Sequence, residues 1–208
     1  MSSARFAAPL LLAFAAAAQA PLPELRIEPI GGGSIFYIHN TAPQPVTAYL
    51  IELVNYPGST YWYPEDDPNG IIPSGGEKRI QVTNMTVGAV PDYVKMQAAL
   101  FADGTSAGIP EKIAQLIARR RSVLETTREL IRRCEKGPNK EAVIDDLKKW
   151  SDSMPVARSV RSFEASNREV PINLISATIK RLVNQSVEAT VAALRISERT
   201  LAASKPAL

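Results

Sequence analysis

Two reactive residue types are nearly missing from this chain: there is one cysteine, Cys134, and one histidine, His39. A single cysteine excludes any disulfide within the chain, so its stability must come from packed cores. No Walker, Rossmann, HExxH, GxSxG or CxxC pattern occurs, which leaves the sequence without a catalytic or cofactor-binding signature. A catalytic pair of Cys134 and His39 would need the two halves of the chain to fold around it, and spacing does not supply that geometry. Long apolar runs are also lacking. Beyond the first twenty residues none reaches the ~20 needed to cross a bilayer.

The opening residues do carry a distinct pattern. Arg5 follows the α-amino group, Phe6 to Ala18 form a short apolar run, and small residues stand at Ala18 and Ala20. A cationic start, an apolar stretch too short to span and a small-residue site are the features of a cleavable secretory signal over residues 1–20. Cleavage after Ala20 fits Ala-Gln-Ala, but it would leave Pro21 at the cut, so cleavage after Ala18 competes. The expected product is periplasmic or extracellular, without a lipid-bearing cysteine near its start.

Charge divides the remainder. Residues 21–108 hold nine acids and four bases, net −5, whereas 109–208 hold twelve acids and nineteen bases, net +7. In the first part, β-branched and aromatic runs are punctuated by Gly and Pro clusters: Ser34 to Asn40, Val46 to Asn55, Lys78 to Thr83 and Tyr93 to Ala102. Alternation in the second run puts Thr47, Tyr49, Ile51 and Leu53 on the expected core face. Asp103-Gly104 is a hairpin signal. Short strands with no helical period predict a small antiparallel β-sandwich over 21–108.

The segments IHNTAPQPVTAYLIE, PSGGEKRIQV and VKMQAALFADGTSAG together resemble the Ig-like or fibronectin-like modules of exported bacterial proteins. There an Asn ends one strand, a proline bend leads to the next, and a Pro-Ser-Gly-Gly turn precedes another. The resemblance covers about eighty residues. It implies a scaffold or binding module and carries over no catalytic residue, since fold alone does not set function.

Helical periodicity takes over after Ile109. Ile113, Leu116, Ile117, Val123, Leu124, Leu130, Ile131 and Cys134 recur at steps of three and four, Pro110 suits a first turn, and Gly137-Pro138 is a stop. Helices are expected over about 110–135, 139–153 and 171–203, the last a single rod packed antiparallel to the first. The fold class predicted is therefore segregated α+β: an N-terminal Ig-like sandwich followed by a helical hairpin or bundle over 109–208.

Candidate sites are few. Tyr61, Trp62, Tyr63, Glu65, Asp66, Asp67 and Asn69 form an aromatic and acidic loop, whose rings would stack on sugars and whose oxygens would accept hydroxyl hydrogens or hold Ca²⁺. Equally, Trp62 would fill the core, and acids beside Pro and Gly are ordinary turn formers. Arg119, Arg120, Arg121, Arg128 and Arg132 make the first helix basic and suggest contact with an anionic envelope surface, although Glu125 and Glu129 are spaced to neutralise part of it. His39 is expected on the solvent side of a strand. Cys134 closes the apolar stripe, either buried or in an intermolecular disulfide. No cofactor or metal is called for. The function expected is non-enzymatic recognition of a protein partner, or self-association, through the helices; a carbohydrate-binding or carbohydrate-active loop is the alternative, and export argues against nucleic acid.

Overall fold

The computed structural model describes residues 20–53, 62–65, 70–83, 94–155 and 166–205. Its strands are β1 (Glu24–Ile30), β2 (Gly33–His39), β3 (Val46–Leu53), β4 (Trp62–Glu65), β5 (Glu77–Thr83), β6 (Val94–Phe101) and β7 (Ser106–Gly108). Four helices follow among the described residues: α1 (Pro110–Lys136), α2 (Lys140–Asp152), α3 (Val170–Asn184) and α4 (Val187–Ala203). The class is mixed α+β with strands and helices segregated along the chain.

Two antiparallel sheets form, in the orders β1-β2-β5 and β4-β3-β6-β7. Phe36 and Ile38 of the first and Tyr49, Ile51, Ala99 and Phe101 of the second share one apolar cluster, so the sheets cover each other's inner faces. The reverse face of the second sheet is also buried. Ala48, Leu50, Ala98 and Leu100 pack there against Leu116, Ile113 and Ile117 of α1. Being covered on both sides explains why β3 and β6 read as nearly unbroken apolar runs rather than clean alternations. A register shift between Val46 and Ala48 returns Val46 to the inter-sheet core.

Asn40 organises the end of the first sheet. It is fully buried, and its side-chain amide donates to the carbonyls of Gln44, Ile72 and Pro73 at 2.9–3.1 Å, while its Oδ1 accepts from Ala42 N at 3.0 Å. One side chain thus satisfies backbone groups of both the Thr41–Pro45 bend and the turn before β5. Ser74 Oγ closes the same knot on the Ala42 carbonyl at 2.9 Å.

Gly108 lets the chain pass from β7 into α1. Its φ is +109°, and a Cβ there would stand 2.2 Å from the Gln97 carbonyl oxygen, so no other residue fits without moving β6. At 27 residues, α1 extends about 40 Å. Its first half lies on the second sheet, anchored by Lys112 Nζ to Glu52 Oε1 at 2.8 Å. Its second half builds a bundle around Leu130, Ile131, Cys134, Leu147, Ile175, Leu182 and Leu194.

The bundle departs from the sequence reading in one respect. The expected single helix over 171–203 is two helices, because Gln185 is extended and Ser186 caps α4, its Oγ accepting from Ala189 N at 3.2 Å. Ser186, which falls inside the single helix expected over 171–203, is a helix start. The consequence is a hairpin. Asn167, just before α3, meets Arg119 and Gln115 of α1, and the far end of α3 meets Lys140. α4 then returns antiparallel to α1 through Arg195–Glu135 at 2.5 Å, Arg128–Glu198 at 2.9 Å and Arg120 with the Lys205 carbonyl at 2.9 Å. Three strands lie outside the runs expected to be strands: β1, whose apolar residues alternate with charges, β4, in the segment expected to be a loop, and β7, signalled only by the Asp103-Gly104 hairpin turn. No described helix is long and apolar enough to cross a membrane.

Candidate functional site

The arginines of α1 fall into different environments once the bundle forms. Arg119 donates to Asn167 Oδ1 at 3.2 Å. Arg120 is 1% exposed and turned inward, donating to Lys205 O at 2.9 Å and to Thr47 O and Oγ1 at 3.3 Å, so it is a joint between helix, sheet and the end of α4 rather than a surface contact. Arg128 pairs with Glu198, and Arg132 pairs with Glu129 one turn earlier. Arg121 is exposed. Helical period sets Arg120 one turn from Leu116 and one turn from Leu124, on the apolar stripe itself; its partners on the sheet and at the end of α4 are what that pattern does not show.

Glu129 is the hub of the remaining charges. It accepts from Arg132 and from Arg133 Nε at 2.7 Å, and Arg133 reaches on to Asp146 of α2 at 2.8 Å while stacking 4.5 Å from the Trp150 ring centroid. The Arg132 hydrogen bond, with help from Arg133 and against the effect of burial, holds the Glu129 carboxyl down to about 2. Much of the positive charge read from this helix is therefore spent on binding helix to helix.

A cleft of about 800 Å³ opens where the end of α1 meets the starts of α2 and α4, lined by Cys134, Asn139, Lys140, Ser186, Val191 and Arg195 among others. The helix starts are capped internally, Asn139 Oδ1 accepting from Ala142 N at 2.9 Å. Lys140 and Arg195 on its wall are offset by Glu135 and Glu188, so neither sign of charge dominates. Cys134 is buried in the bundle core, and burial, with Glu135 and Asp146, pushes its thiol up. This keeps it protonated and a poor nucleophile at neutral pH. A smaller groove of about 220 Å³ runs between Thr47, Ile71, Ala102, Thr200 and Leu201, with Arg120 in its wall.

Of the aromatic and acidic loop, Tyr61, Asp66, Asp67 and Asn69 lie outside the described residues. Trp62, Tyr63 and Glu65 belong to β4, the outer strand of the second sheet, in register with Glu52, Ile51 and Tyr49. His39 is half-buried on β2, in register with Glu24 of β1 and Glu77 of β5. It belongs to the first sheet and Cys134 to the helical core, so the two are not brought together. Among the described residues, no group of three His, Cys, Asp or Glu side chains is placed to hold a metal ion.

Comparison with family models, with curated proteins and with solved structures returns no match.

Proposed function

We propose that this is an exported, non-enzymatic interaction protein, in which an Ig-like β-module and a helical bundle are presented as one rigid body. The observation that carries the reading is α1, which lies on the second sheet with its first half and forms the bundle core with its second. A helix built into both cores, tied at Glu52–Lys112 and at Arg120, fixes the spacing of the surfaces at either end. Fixed spacing serves recognition, because little ordering is left to be done on binding.

The Ig-like assignment rests on strand order. Among the described strands, β1-β2-β5 facing β4-β3-β6-β7 supports that reading, and it departs from the constant-type Ig order in having the fourth strand in the second sheet instead of the first. Export rests on the first twenty residues. Ala20 and Leu22 are already packed against the inter-sheet core, which favours cleavage after Ala18 over a cut that removes Ala20. N-terminal sequencing of the chain recovered from the periplasm or medium is the check: a start at Gln19 is expected, and an unprocessed chain in the cytoplasm counts against export.

Recognition itself is tested with the purified protein on envelope extracts, comparing wild type with Ile196→Asp, since Ile196 on α4 is 59% exposed. A specific protein retained by the wild type and lost from the variant supports docking on the helices. A second reading, glycan binding, draws on the place of Trp62 and Tyr63 in an outer strand. A glycan array with wild type and Trp62→Ala decides it: signal lost in the variant supports it, and an empty array removes it.

A further inference from the structure

We propose that the outer edge of β1 is a self-pairing seam, along which two copies of this chain join their three-stranded sheets into one of six strands. The backbone polarity of that edge follows from one hydrogen bond. Asn40 N donates to the Gly76 carbonyl at 2.9 Å, and residues 40 and 76 continue the register of His39 with Glu77. In an antiparallel ladder a residue's N–H and C=O point to one side, and those of the next residue to the other. Even-numbered residues of β2 therefore bond to β5, and odd-numbered ones bond to β1. The β1 residues opposite the odd-numbered ones are Glu24, Arg26 and Glu28, which leaves Leu25, Ile27 and Pro29 with their backbone groups turned outward. Pro29 thus has its missing N–H on the side where the sheet does not need it. Among the described residues no strand covers this edge.

An open edge of seven residues is a template for a further strand. Its charges select the occupant and the register. Glu24, Arg26 and Glu28 project on the outer face, where Arg26 lies over the Tyr37 ring and 3.9 Å from Glu28 of its own strand and Glu28 accepts from Tyr37 Oη; the Arg26 and Glu28 side chains are still 63% and 50% exposed and within reach of a partner strand. A two-fold axis through Ile27 sets Arg26 opposite Glu28 of the partner subunit, and does so twice by symmetry. It also lays Ile27 against Ile27 of the partner subunit on the inner, apolar face, where Leu25 and Ile27 are only half-covered. Moving the axis to Arg26 or to Glu28 puts like charges directly opposite, which destabilises pairing. An axis at Leu25 restores opposite charges but matches only Glu24, Leu25 and Arg26.

The backbone agrees with that choice. The two Ile27 residues exchange two hydrogen bonds, and each Leu25 N–H meets a Pro29 carbonyl across the seam, so the absent N–H of Pro29 costs one bond per copy and no more. Charges and a proline, which protect an edge from indiscriminate pairing, here admit one register. The area is that of two strands, below the standard interface class, so the dimer is weak and depends on concentration.

Sedimentation equilibrium of the protein over a range of concentrations reads the outcome, with circular dichroism confirming that each variant is folded. Wild type should approach twice the chain mass as concentration rises. Arg26→Glu and Glu28→Arg should each stay monomeric, since each sets like charges across the seam. An equimolar mixture of the two should recover the dimer, because position 26 of each copy then meets the opposite charge at position 28 of the other, and the double variant R26E/E28R should dimerise like wild type. A monomeric wild type at all concentrations overturns the proposal, as does a dimer that R26E leaves intact.

Discussion

Two buried polar residues hold this protein together in ways their neighbours cannot replace. Asn40 answers four backbone groups from two loops at once. Asn40→Ala takes the side-chain partner from the Ala42 N–H and the Gln44 carbonyl, while the Ile72 and Pro73 carbonyls keep the Val46 and Gly76 N–H groups; the expected cost is about 2 kcal/mol, read as a lower urea midpoint at unchanged slope. Arg120 is the other. Truncation to Ala empties the space of the largest fully buried side chain and strands the carbonyls of Thr47 and Lys205. A loss of about 3 kcal/mol follows, together with faster hydrogen exchange at the end of α4, where Lys205 is released. Faster exchange confined to the bundle's other end, near Gly137, would contradict the role given to Arg120.

At the level of elements, the contact between α1 and α2 runs through Glu129, Arg133, Asp146 and Trp150, and its pH dependence has a definite sign. The Glu129 carboxyl is held at about 2, below its ordinary 4.5. A depressed folded-state value adds stability that is present above the unfolded value and is lost as pH falls from 4.5 toward 2. Its partners are partly exposed, so the amount is no more than about 1 kcal/mol. Glu129→Gln should flatten the acid limb of the unfolding profile across that window while leaving the neutral-pH fold unchanged. Gly108 marks the other boundary. Gly108→Ala demands φ near +109° from an L-residue and drives a Cβ into the Gln97 carbonyl. The expected cost is about 3 kcal/mol or more by chemical denaturation, and a near-neutral result would show that β7 and α1 are joined differently. Ser186→Ala tests the break between α3 and α4, with about 1 kcal/mol lost from the missing cap.

For the whole molecule, α1 makes two cores into one cooperative unit. The reverse face of the second sheet is packed on its first half and the bundle on its second, so melting of the helix strips one face of that sheet and opens the bundle, although the inter-sheet core holds no residue of α1. A single thermal transition is expected, with the calorimetric enthalpy equal to the van't Hoff value. Two resolved transitions would show that the β-module folds without α1 over its second sheet. Rigid coupling of this kind is also what distinguishes the proposed interaction protein from two modules on a linker.

Much of this was legible in the residues themselves. The change of charge and periodicity after Gly108, the strands around Phe36, Tyr49 and Ala99, the first two helices and the Gly137-Pro138 stop all follow from spacing and turn chemistry, which are local properties. The exposed arginines of the candidate surface were equally readable, since helical period alone puts Arg121, Arg128 and Arg132 on one stripe. What required the tertiary structure is everything set by a second body pressing on the first. Only the packing of α1 on the reverse face of β3 buries Ala48 and Leu50 and gives Arg120 its partners at Thr47 and Lys205. Only the return of α4 along α1 makes Ser186 a cap instead of a mid-helix residue, and only the pairing of β1 with β2 decides which of its backbone groups face outward. Local sequence determines the elements because their forces act within a few residues; it leaves open which faces meet, because that depends on contacts between residues as far apart as Thr47, Arg120 and Lys205.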